Sequence, residues 1–115
     1  MFVLALLAAG GCSKEKDFGP PNVMPNILGA LRIPDARERD AALAAAGRES
    51  AEQGSGPAVL MAVPRIEDAG LRDSVAEECA LALADAGQAE AAIEVARLIT
   101  VQKKRDDLLT KLEAN

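Results

Sequence analysis

Ile33, Ile66 and Ile99 recur 33 residues apart, and so do the dipeptides Arg39-Asp40, Arg72-Asp73 and Arg105-Asp106. Between the first two rows of 33, the pairs Asp35/Asp68, Ala36/Ala69, Ala51/Ala84, Gly54/Gly87 and Ala58/Ala91 also match. A period of this length marks an array of supersecondary units, each stacking on its neighbours rather than closing around one centre. The matched residues are punctuation: a branched aliphatic, a capping carboxylate, an Arg-Asp pair and a glycine.

Composition says what the units are made of. The chain of 115 residues has 24 Ala, two Phe and neither Trp nor Tyr. Small side chains bury little area each, so the core is thin and extended. Ala is the best helix former, while aromatic strand formers are scarce, which makes the fold class all-α. A formal net charge of -5 supplies no basic face for phosphate, which excludes nucleic acid as a partner. The short Lys103–Arg105 run serves solubility. With no His, the usual general base and the commonest metal ligand are missing.

Each row reads as two helices. Asp35 and Asp68 stand as N-caps. The long helices run through "ARERDAALAAAGRESAEQ" and "AGLRDSVAEECALALADA", and Gly54 and Gly87 close them in the left-handed conformation. Winding the second at about 100° per residue puts Leu71, Val75, Cys79, Ala82 and Ala86 on one arc, with Asp73, Glu77, Glu78 and Asp85 opposite. Shorter helices follow in "PAVLMAV" and "EAAIEVARLI", flanked in the first case by Pro57 and Pro64. "PNILGALRI" supplies a half-unit before the first row and "KKRDDLLTKLEAN" a final long helix. The expected architecture is a short right-handed α-solenoid of antiparallel helix pairs with a 33-residue period. Asp35 with Arg39, and Asp68 with Arg72, have i,i+4 spacing for ion pairs, and Arg-Asp neighbours are placed to bridge adjacent units. Ile33, Ile66 and Ile99 seal the short helices. Leu108, Leu109 and Leu112 on the last helix need cover, so a second copy, meeting it by self-association, is one expected partner.

The region 25–115 resembles tetratricopeptide-type helical repeats. The closest stretch is "AEECALALADAGQAEAAIEVARLI", where Ala80, Gly87, Ala92 and Ile93 stand at that family's small, Gly and Ala-Ile positions. It departs in carrying Ala or Leu where the family uses large aromatics, and it lacks the Pro near the repeat end. The resemblance implies a helical-hairpin stack that contacts another protein, with the usual peptide groove altered.

At the other end, "MFVLALLAAGG" is uncharged and apolar, and "CSKEKD" turns abruptly polar. Eleven such residues are about half of a membrane span but match the centre of a secretory signal. Ala9, Gly10 and Gly11 before Cys12 resemble the lipobox of bacterial lipoproteins, which implies cleavage before Cys12 and a diacylglycerol on its sulfur. Position 9 is Ala where that family prefers Leu, and no basic residue precedes the apolar run, so a basic leader is expected upstream of Met1. Ser13 as second mature residue implies the outer membrane of a Gram-negative cell. Residues 1–11 are thus expected as signal, 12–24 as lipidated Cys and tether, and 25–115 as the repeat domain.

Catalysis finds no foothold. No Gly-rich phosphate loop is present, and Cys79 in an Ala/Leu-rich pattern reads as a small buried hydrophobe without an activating partner. Glu77 and Glu78 point about 100° apart on one helix and make a solvated acidic face rather than a metal site. No enzyme activity, cofactor or metal is expected. The function expected is that of a membrane-anchored scaffold for a protein partner in the cell envelope. The alternatives are a fragment of a larger enzyme and a soluble cytoplasmic repeat protein.

Overall fold

A computed structural model describes the backbone of residues 23–114 and the side chains of residues 26–114. The expectations for Cys12, the signal and most of the tether therefore lie outside the described residues. Within them the fold is all-α, with no strand. Six α-helices follow one another: α1 Val23–Leu31, α2 Ala36–Glu52, α3 Gly56–Ala62, α4 Ala69–Asp85, α5 Ala89–Ala96 and α6 Gln102–Ala114. A 3₁₀ turn, Val63–Arg65, extends α3. The long helices start at residues 36, 69 and 102, and the short ones α3 and α5 at 56 and 89.

The boundaries have local causes. Asp35 and Asp68 each accept a hydrogen bond from the backbone N–H three residues on, Glu38 at 2.9 Å and Leu71 at 2.8 Å. That satisfies a donor the first turn leaves free. At the other ends, Gly54 (φ 73°) and Gly87 (φ 84°) occupy the left-handed region. Behind them Ser55 N–H reaches the Ser50 carbonyl at 2.9 Å, and Gln88 N–H the Leu83 carbonyl at 2.8 Å, which satisfies the last carbonyls of α2 and α4. Helix α1 begins at Val23, two residues before the expected domain start at Pro25. A proline in the first turn loses no intrahelical bond, so it does not delay the helix. Helix α5 ends at Ala96, short of the expected Ile99, because the chain tightens there: Leu98 and Ile99 bond back only three residues, to Val95 and Ala96.

Helix α2 packs against α3 and α4, and α4 against α5, while α6 packs mainly on α5 with a smaller contact to α4. The interior is a sheet of small and branched side chains: Leu43, Val59, Val63, Ile66, Val75, Cys79, Leu83, Val95 and Ile99 are all buried. Glycine allows the closest approach. A Cβ on Gly56 would stand 2.6 Å from the Ala91 Cβ, so α3 lies nearer to α5 than any larger residue permits. Three expectations about faces need correction. Asp73, expected on the polar side of α4, is 5% exposed, because it finds donors inside, whereas Ala86 is exposed beyond the helix end. Ala80 and Leu83 also belong to the buried face. Leu108 and Leu112 are covered within the chain itself, and Leu109 is half-buried, so the reason for expecting a second copy to cover them falls away.

Candidate functional site

Apart from Gly54 and Gly87, which close the long helices, the candidate residues singled out by the period come together at the junctions where a short helix hands over to a long one. Ile33, Ile66 and Ile99 end the short helices, each donating its N–H to a carbonyl three residues back, that of Ala30, Val63 and Ala96 respectively. Ile66 and Ile99 are fully buried; Ile33, with no layer described before it, is half-buried. Their carbonyls point out of the ended helix and need donors. The arginines supply them: Arg39 Nη1 donates to the Ile33 carbonyl at 3.1 Å, Arg72 to Ile66 at 3.0 Å and Arg105 to Ile99 at 3.3 Å. A cation at the carbonyl end of a helix is also favoured by the helix dipole.

This corrects the expected i,i+4 ion pairs. The carboxylates of Asp35 and Asp68 are engaged in capping, and Arg39 and Arg72 turn back to carbonyls instead. Arg39 does form an ion pair, but with Glu67 of the next junction, at 2.7 Å.

The aspartates beside the arginines face the other way. Asp40 Oδ1 accepts the backbone N–H of Glu67 at 2.9 Å and its Oδ2 that of Asp68 at 3.0 Å. One layer on, Asp73 accepts the Thr100 N–H at 2.9 Å and the Thr100 hydroxyl at 2.7 Å. Both aspartates are buried. Burial by itself pushes the Asp73 carboxyl up. The Thr100 N–H and hydroxyl, the Val101 N–H and the Arg72 charge outweigh it and hold the group below its ordinary value. Arg39-Asp40 and Arg72-Asp73 are therefore two-way connectors, Arg to the junction behind and Asp to the junction ahead. Pro34 stands where Glu67 and Thr100 stand in the later junctions, and it has no N–H to satisfy. Asp106 holds the same register on α6, but its side chain is 58% exposed, and its one ion-pair contact among the described residues is with Arg105, at 3.8 Å.

Outside the junctions, the long helices present a shared face. Arg48 pairs with Glu78 at 2.6 Å between α2 and α4, and Lys104 approaches Glu77 at 3.9 Å between α6 and α4. Cys79 lies beneath this face as a free, buried thiol. Burial, with a smaller push from Glu78 and against the pull of Arg48, raises its pKa to about 12, so very little of it is thiolate at neutral pH. Arg48 and Glu78 line one depression between α2 and α4, and a wider one opens at the junction end of the same helices, lined by Ala36, Arg37, Asp40, Ala41, Asp68 and Leu71. A third lies over the contact between α3 and α5, lined by Pro57, Leu60, Gln88, Glu90 and Glu94. Among the described residues no group of three or more His, Cys, Asp or Glu could hold a metal ion, and no helix is long and apolar enough to cross a membrane.

One orphan remains. Ser55 precedes α3 without capping it, and its buried Oγ has no hydrogen-bond partner among the described residues. No protein-family model, curated protein or solved structure matches the chain.

Proposed function

We propose that the helical region is a short right-handed α-solenoid of antiparallel helix pairs with a 33-residue period. On this reading it serves as a non-enzymatic scaffold for another protein, held at a bacterial envelope membrane by a lipid on Cys12. The observation that carries the scaffold is the pair of carboxylate clasps, Asp40 on Glu67 and Asp68, and Asp73 on Thr100, in which aspartates one period apart each grip the junction ahead. A stack held this way offers a rigid long-helix face, on which a partner gains affinity from several shallow contacts. The tetratricopeptide resemblance adds the interaction role. The anchor rests on the "AAGGC" stretch ending at Cys12 and the polar, Pro-containing segment after it.

The test separates the two halves. Expressed with its natural upstream region, the protein should label with a palmitate analogue and partition into detergent, and Cys12→Ser should abolish both and leave an uncleaved precursor. A Cys12→Ser protein that keeps its label sinks the anchor. The scaffold is tested by crosslinking in envelope extracts through a photoreactive residue at Ala45 or Ser74, both exposed on long helices. Partner bands common to both positions and absent from an unfolded variant support it, and none above background overturns it.

A further inference from the structure

We draw no further inference here: the strongest candidate, the outward end of α6 where Arg105 and Asp106 repeat the register in which Asp40 and Asp73 grip the junction ahead, carries nothing because nothing in the structure shows what covers it.

Discussion

Asp73 takes two hydrogen bonds from the single residue Thr100, one from its backbone N–H and one from its hydroxyl, across 27 positions of chain. Truncating this carboxylate leaves the Thr100 N–H and hydroxyl without their acceptor in one step. Asp73→Ala should therefore cost about 1.5–3 kcal/mol, since hydrogen bonds to a charged group are lost. Asp106→Ala, in the same register but exposed, should fall within about 0.5 kcal/mol of the parent. Urea denaturation followed by circular dichroism reads both. Equal losses would show that the clasp has no more weight than an ordinary surface charge.

The same carboxyl gives the fold a defined acid sensitivity. Its pKa is lower in the folded chain than the ordinary 3.8, so its contribution is fully present above that value and is lost as pH falls through the folded one. The urea midpoints of parent and Asp73→Asn should lie well apart at pH 7. The gap should begin to close once the pH drops below 3.8, and vanish in stronger acid. A gap that stays constant with pH would remove the ionised carboxylate from the account.

Much of this arrangement is written in the residues, and the part that is not has a clear cause. Asp35 and Asp68 are legible as caps, and Gly54 and Gly87 as stops, because both act on backbone groups a few positions away. The Asp40 and Asp73 columns are legible only as a recurrence. Their partners are backbone N–H groups of the next junction, which every residue but proline supplies, so no side-chain pattern announces them. Judged by helical periodicity, Asp73 belongs with Glu77 and Asp85 outside; donors arriving from the loop between α5 and α6 put it inside. Thr100, whose hydroxyl adds the extra bond, was the one side-chain signal on offer. The arginines mislead for a related reason: spacing to Asp35 and Asp68 suggests ion pairs, while unsatisfied carbonyls at Ile33 and Ile66 compete and win.

The tight approach of α3 to α5 separates two glycine substitutions that look alike on paper. Gly56→Ala places a methyl 2.6 Å from the Ala91 Cβ and should destabilise by about 1–3 kcal/mol, partly relieved by Ala91→Gly. Gly29→Ala in α1 meets nothing within 4 Å and should stabilise by about 0.5–1 kcal/mol through helix propensity. For a domain this small each kcal/mol moves Tm by about 4–8 °C, so thermal melts distinguish the signs. A gain from Gly56→Ala would mean that α3 and α5 lie further apart than described.

Cys79 reports on opening of the stack. In a Cys12→Ser background, iodoacetamide at pH 8 should leave folded protein almost unmodified, because the thiol is buried and its pKa stands at about 12. In denaturing urea, modification should run at the rate of a free thiol. Rapid alkylation of the folded chain would place Cys79 on an accessible surface.

Two adjacent N–H groups held by the two oxygens of Asp40 make a two-point attachment, which fixes an angle as well as a distance. Contacts between alanines and valines have no such directionality; left alone, they would let one helix pair slide or pivot over the next. The carboxylate removes that pivot. The stagger of α2 against α4, and with it the contour of the face the long helices share, is thus set by a side chain that is almost wholly buried. Substitutions across the visible surface are then free to vary while its contour is inherited from within.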